Sequence, residues 1–210
     1  MNIAIVGATG NVGRKILEVL ELKKFPIDQL YLVASPKSVG KKISFNGKDC
    51  EVLNLETFDF TNVEITFFAA GGKISEQYAA KAAKHSTVID NSSYFRMDPD
   101  VPLIVPEVNS HDLKNYKKKN IIANANCSVI PLVVALKPLH DLYSIKRIVA
   151  STYQSVSGAG KAPMDELLSQ TKDFFENKNL SSSYFTKQIA FNAIPHIDSF
   201  LDSGYTKEEQ

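Results

Sequence analysis

The chain has 210 residues, 44% of them hydrophobic and 22% charged, with a formal net charge of +1. This is ordinary globular composition, long enough to bury a core without staples, and so small a net charge gives no electrostatic case for a nucleic-acid partner. Two cysteines, Cys50 and Cys127, are too few for a disulfide framework, the chain opens on a strand rather than a targeting segment, and no apolar run approaches a membrane span; the expectation is a cytoplasmic protein.

Asn2 to Val6 is a short β-branched run of the kind that forms a fully buried parallel strand. "GATGNVG", Gly7 to Gly13, follows it, and Ile16, Leu17, Leu20 and Phe25 then recur at roughly helical spacing. Strand, glycine-rich turn and helix together make a dinucleotide-binding turn, in which Gly7 permits a tight bend, Gly10 a close approach to a pyrophosphate, and Gly13 close helix packing. The spacing is G-x-x-G-x-x-G, one residue longer than the usual motif. Thr9, Asn11 and Val12 fill the same turn and are expected to line the cofactor with the three glycines. The second strand, Leu30 to Ser35, runs into "ASPKSVGKK". An NAD enzyme usually carries an acidic residue here to hold the ribose 2′-hydroxyl. No acid lies between Gln29 and Asp49. Ser35, Lys37 and Ser38 instead suit a 2′-phosphate, so the expected cofactor is NADP.

Farther on, Asn46-Gly47 marks a hairpin. "VEITFFAAGG" is another buried strand, and its terminal Gly71 is expected to pass beneath the cofactor. "KISEQYAAKAAKH" is a helix with an alanine-rich face, "STVIDNSS" a strand and loop, and Asn120 to Ala123 a strand leading to "NANCS". The basic stretch "KNYKKKN", Lys114 to Asn120, is short and has no interleaving of aromatics beyond the single Tyr116, and reads as solvated surface. After Cys127 comes an apolar helix with Pro131 in its first turn, where a missing N–H costs little. "IKRIVASTYQSVSG" is expected to be a long strand, Lys161 to Lys178 an amphipathic helix, and Ser183 to Asp198 a strand followed by a loop. The fold expected is α/β: a Rossmann-like doubly wound parallel sheet over residues 1–127, followed by part of an α+β substrate and dimerisation domain over 128–210.

Position alone leaves Cys127 open between a packing residue and a nucleophile. A thiol is a weak nucleophile until it loses its proton, and a helix start offers the partial positive charge that favours the anion. A cysteine leaving a sheet strand at a helix start also lies at the mouth of the sheet, beside the nicotinamide end of a dinucleotide. Cys50, in a polar hairpin, has no such setting.

Eight segments in order, "GATGNVG", "ASPKSVGKK", "FFAAGG", "IDNSSYFRMD", "VPLIVPEVN", "NANCS", "YQSVSGAG" and "FNAIPHID", resemble aspartate-semialdehyde dehydrogenase across nearly the whole chain. The resemblance implies an NADP-dependent homodimer. In the biosynthetic direction it reduces L-aspartyl 4-phosphate to L-aspartate 4-semialdehyde through a cysteine thioester, on the route to lysine, threonine and methionine. Cys127 resembles the nucleophile, Gln154 the glutamine that orients substrate, Arg96 the arginine that binds phosphate, and Asn126 a residue lining the acyl site. Ser157 and Gly158 resemble the turn that closes over the cofactor.

The resemblance is to the family's N-terminal two thirds. The family's acid/base histidine and substrate-carboxylate arginine fall in the remaining part, and none of His85, His111, His140 or His196 takes the histidine's place. A non-catalytic NADP-binding remnant is therefore an alternative expectation. N-acetyl-γ-glutamyl-phosphate reductase is a weaker one, because its cysteine environment resembles "PGCYPT".

Overall fold

Strand β1 (Asn2–Val6) is apolar at nearly every position because both faces of it are covered: Ala4 and Val6 join one buried cluster, Ile3 and Ile5 the other. In this computed structural model, which describes residues 1–209, β1 lies in the middle of a sheet. The other strands are β2 (Gln29–Ala34), β3 (Lys42–Phe45), β4 (Lys48–Asn54), β5 (Ile65–Phe68), β6 (Thr87–Asp90), β7 (Leu103–Ile104) and β8 (Ile121–Asn124). Their order is β3-β4-β2-β1-β5-β6-β8-β7, and every pairing is parallel except the β3–β4 hairpin. That hairpin turns at Asn46 and Gly47, both in the left-handed region. The chain leaves β1 toward β2 and later returns on the other side of β1 as β5, which makes the crevice above β1 and β5 a topological switch point.

Helix α1 (Asn11–Leu22) packs Leu17 and Leu20 onto one face of the sheet. Helix α2 (Gly72–Ala82) packs Ala79 and Ala82, both fully buried, onto the other. The alanine-rich face read from the sequence therefore does what its size permits, bringing a helix close to a strand. Phe25 lies beyond the end of α1 and is 37% exposed, so it is not part of the apolar stripe. A short helix α3 (Pro106–Asn109) leads into a 3₁₀ segment, Ser110–Lys118, that carries most of the basic run. Two of its lysines are not simply solvated: Lys118 pairs with Asp100 at 3.3 Å, and Lys119, which follows, with Asp98 at 2.6 Å. Helix α4 (Val129–Tyr143) follows β8, with Pro131 in its first turn. None of the described helices is long and apolar enough to cross a membrane.

The residues divide by compactness into Met1–Ala150 and the part from Ser151 onward, so α4 belongs with the sheet although the sequence reading set its boundary at Cys127. Two expected strands do not form. Residues 145–155 carry no regular structure, and Val149 and Tyr153 are 80% and 93% exposed. A strand is stable only against a partner, and among the described residues none pairs with this segment. Residues 183–198 also lack a ladder, for a different reason. Their amides are taken by two side chains of helix α5 (Lys161–Phe175). The Glu166 carboxylate accepts from the N–H groups of Ser183, Tyr184 and Phe185 and from the Ser183 hydroxyl, and Gln170 Oε1 accepts from the N–H groups of Ile189 and Ala190.

Burial pushes the Glu166 carboxyl up, but the Tyr184 N–H, the Ser183 hydroxyl and N–H, and the Phe185 N–H outweigh it and hold the group below its ordinary value. A carboxyl held lower in the folded than in the unfolded chain contributes stability above the unfolded value and loses it as pH falls through the folded one. Hydrogen-exchange protection of amides 183–185 is therefore expected to be full at neutral pH and to be lost only as the pH falls below the ordinary glutamate range. Glu166→Gln should lower that protection at neutral pH by about 1–3 kcal/mol and remove its pH dependence. Protection that is unchanged through the acid range would contradict this assignment.

Candidate active site

Parallel pairing puts the C-terminal ends of β2, β1, β5, β6 and β8 along one edge of the sheet. The glycine turn leaves β1 there. Gly7 has φ +88°, and a Cβ on it would stand 2.6 Å from the Ala69 carbonyl oxygen at the exit of β5. A Cβ on Gly13 would stand 2.3 Å from the Gly7 carbonyl oxygen and 2.8 Å from Ala8 Cα. The third glycine thus allows the first turn of α1 to rest directly on the loop backbone. Gly10 is the N-cap residue of α1 and, as a glycine, makes no side-chain cap hydrogen bond. Val12 is 50% exposed. A backbone-lined cradle at a helix N-terminus fits a pyrophosphate, since aligned peptide N–H groups supply the positive charge.

The turn after β2 comes to the same edge. Ser35 precedes a 3₁₀ turn, Pro36–Ser38. The Ser38 side chain is buried and its hydroxyl lies 3.4 Å from that of Thr9, while Ser35 and Lys37 are exposed. The glycine turn and the serine-lysine turn are therefore tied together. Gly71, φ +87°, begins α2 beside them.

The ends of β6 and β8 build the other half of the edge. The Asn124 side-chain amide donates to Asn91 Oδ1 at 2.8 Å, and Asn91 Nδ2 donates to the Phe68 carbonyl at 3.2 Å. Arg96 is half-buried. Its Nε donates to the Asn124 carbonyl at 3.0 Å and its Nη2 to the Asn91 carbonyl at 3.4 Å. Two of the five guanidinium N–H groups are thereby occupied and the others are left for an anion. Arg96 makes no ion pair with Asp98 or Asp100; those acids pair with Lys119 and Lys118.

Cys127 lies three residues beyond Asn124, on the turn just before α4. It is free and exposed, not a packing residue. Asn126 shapes that turn: its Oδ1 accepts from the Ser128 N–H at 2.8 Å and its carbonyl accepts from the N–H groups of Val129 and Ile130. The Ser128 side chain makes no cap hydrogen bond to α4, and the thiol stands beside the helix start that Asn126 closes. Gln154, Ser157 and Gly158 belong to the second unit. Gln154 lines a shallow groove there with Ser155, Leu167, Ile189 and Phe191. Ser157 is exposed in a 3₁₀ turn, Val156–Ala159, whose start is fixed by the Ser155 hydroxyl accepting from the Ser157 N–H. Asn91 and Asn124 are the site residues that reading of the sequence left out; the polar run "IDNSS" closing an apolar strand is the signal that points to the first.

Residues 2–116 match the family model for the semialdehyde dehydrogenase NAD binding domain. The chain belongs to the semialdehyde dehydrogenase family. Residues 136–210 match the family's dimerisation domain. The aspartate-semialdehyde dehydrogenase of Aquifex aeolicus (strain VF5) is 56% identical over 211 residues, covering 99% of this chain and 62% of that protein. The crystal structure of aspartate semialdehyde dehydrogenase II from Vibrio cholerae, complexed with ASA, superposes with a TM-score of 0.97 at 52% identity, covering 99% of this chain and 62% of the other. Aspartate semialdehyde dehydrogenase from Candida albicans with NADP gives a TM-score of 0.52 at 25% identity, covering 69% and 48%. The resemblance read from the sequence is thus borne out, and the chain spans about 62% of the length of the first two relatives.

The glycine geometry makes a direct prediction. Gly13→Ala forces a methyl into backbone and should cost about 1–3 kcal/mol in denaturant unfolding, together with dinucleotide affinity. Gly158→Ala meets no atom within 4 Å and should change stability by less than about 0.5 kcal/mol. Equal stability for the two variants would contradict the close-packed turn.

Proposed function

We propose that this chain carries the cofactor, thiol and phosphate sites of an NADP-dependent aspartate-semialdehyde dehydrogenase, which interconverts L-aspartyl 4-phosphate and L-aspartate 4-semialdehyde. The observation that carries the reading is the exposed thiol of Cys127 on the same sheet edge as the glycine cradle and the Arg96 guanidinium. Bound NADP supplies the hydride acceptor in one direction and, reduced, the donor in the other.

In the oxidative direction the Cys127 thiolate attacks the aldehyde carbon, and a C–S bond forms as the carbonyl oxygen takes a proton. Loss of hydride from that hemithioacetal, and of its hydroxyl proton, leaves an acyl thioester on Sγ. Phosphate held by Arg96 attacks the thioester carbon, the C–S bond breaks, and aspartyl phosphate leaves with the thiolate restored. A planar guanidinium already fixed by two backbone carbonyls suits a tetrahedral oxyanion, because little side-chain freedom remains to be lost on binding. The resemblance gives Asn126 the role of lining the acyl site, Gln154 that of orienting the substrate, and Ser157 and Gly158 that of the turn that closes over the cofactor. The resemblance assigns the acid/base histidine and the carboxylate-binding arginine to a part of the family beyond these 210 residues.

NADP is preferred over NAD in this reading because no carboxylate follows β2. The chain there offers Ser35, Lys37 and Ser38, with Ser38 tied to Thr9 of the pyrophosphate turn. The match of residues 136–210 to a dimerisation domain supports a homodimer, and the small, well-balanced charge supports a small-molecule substrate rather than a nucleic acid. The lysine, threonine and methionine route and a cytoplasmic site go with the family reading.

The test is NADPH formation from aspartate semialdehyde, with and without phosphate, by this chain and by its Cys127→Ala variant. A phosphate-dependent rate above the variant's, slow because the family's acid/base histidine is assigned outside these residues, and lower when NAD replaces NADP, is expected. Folded protein that binds NADP but matches the variant would leave a dinucleotide-binding protein without this activity.

A further inference from the structure

Asp90, the last residue of β6, is fully buried at the active edge of the sheet, and none of the roles above uses it. Its partners are neutral. Oδ1 accepts from the Ser75 hydroxyl at 2.6 Å and the Ser92 N–H at 3.2 Å, and Oδ2 accepts from the Ser92 hydroxyl at 2.7 Å. The Ser92 oxygen in turn accepts from the Tyr94 N–H at 3.2 Å. Burying a carboxyl group is unfavourable unless donors surround it, so a sheet that needed only to be packed would end this strand on an apolar or hydroxyl side chain.

What the carboxyl does hold is the turn of residues 91–96. Ser75, in the first turn of α2, anchors the group from one side. On the other, Ser92 ties it to the backbone at Tyr94, and Phe95 is buried against the sheet core. The turn fixed in this way carries Asn91 and Arg96. The Asn91 carbonyl receives the Arg96 Nη2, and the Asn91 side chain receives the amide of Asn124, whose own carbonyl receives the Arg96 Nε. Of the two acceptors that orient the guanidinium, one is the carbonyl of the residue that follows Asp90, and the other belongs to Asn124, whose side chain is hydrogen-bonded to that same residue.

We propose that Asp90 is a positioning residue for Arg96: by clamping the 91–96 turn to α2 it fixes the two carbonyls that hold the guanidinium, and so sets the affinity of the site for a phosphate oxyanion. The inference rests on the reading of Arg96 as the phosphate-binding residue. Asparagine is the informative replacement. It keeps the volume but presents one acceptor and an NH₂ group. With its oxygen toward Ser75 and the Ser92 N–H, the Ser92 hydroxyl loses its acceptor; flipped, the NH₂ group faces the Ser92 N–H.

The probe is inorganic phosphate, and the readout is its protection of Cys127 against iodoacetamide with NADP present, followed on the Cys127 peptide by mass spectrometry. Phosphate should protect the unmodified chain, and Arg96→Ala should abolish protection. Asp90→Asn should raise the half-protecting phosphate concentration about tenfold, with the alkylation rate in the absence of phosphate unchanged within about twofold. Ser86→Ala is the control for lost stability. Ser86 lies just before β6, at the other end from Asp90, and its hydroxyl pairs with Thr66 at 2.7 Å; this variant should melt lower yet keep the original half-protecting concentration. If Asp90→Asn does not fold, Ser92→Ala, which removes the Oδ2 contact and the link to Tyr94, carries the same expectation.

Original half-protection in Asp90→Asn, or in Ser92→Ala, alongside lost protection in Arg96→Ala overturns the inference alone. An equal shift in Ser86→Ala also overturns it, since loss of stability then explains the effect. Absence of protection in the unmodified chain, or protection that survives Arg96→Ala, overturns the phosphate role of Arg96 and the inference with it.

Discussion

Parallel pairing of β2, β1, β5, β6 and β8 is the constraint from which the rest of the site follows. It sends every one of those strands out at the same edge, so segments far apart in sequence, at residues 7–13, 35–38, 69–72, 90–96 and 124–127, arrive together without any element being bent toward the others. The close approach of backbone to backbone then sets the details. The Gly7 carbonyl occupies the space a Cβ on residue 13 would need, and the Ala69 carbonyl occupies the space of one on Gly7. Side chains at either position would lift α1 from the turn and dissolve the cradle.

On the other half of the edge the same economy appears in polar form. Arg96 is oriented by main-chain carbonyls rather than by a carboxylate partner. An acid beside it would neutralise the charge that an incoming anion needs, whereas carbonyl dipoles hold the group and leave its charge uncompensated. The acids of that loop, Asp98 and Asp100, are drawn away to Lys119 and Lys118. Cys127 stands exposed on the turn just before α4, open to an incoming electrophile.

The first half of the fold was legible in the amino-acid sequence because it is built from local signals. The apolar run of β1, the glycines after it, Asn46-Gly47 in the hairpin and the alanines of α2 each carry their reason within a few residues. The second half was not. The stretch from Ile145 reads as a strand by alternation, but alternation is realised only when another strand lies alongside. Residues 183–190 give up their amides to Glu166 and Gln170, an arrangement that no periodicity announces. The site divides in the same way. Cys127 and the glycine turn stand out by residue type and neighbours, and the run "ASPKS" by what it lacks. Asn91 and Asn124 act through contacts between segments more than 25 residues apart, and Asp90 through Ser75 on α2, 15 residues before it; one-dimensional reading has no access to those.

The central claim, that Cys127 is the nucleophile of this edge, is met most directly by mass spectrometry of the chain mixed with aspartate semialdehyde and NADP in the absence of phosphate. The account predicts an aspartyl adduct on the Cys127 peptide, formed with release of NADPH and removed when phosphate is added. A chain that binds NADP but carries no such adduct, or carries it on Cys50, would contradict it.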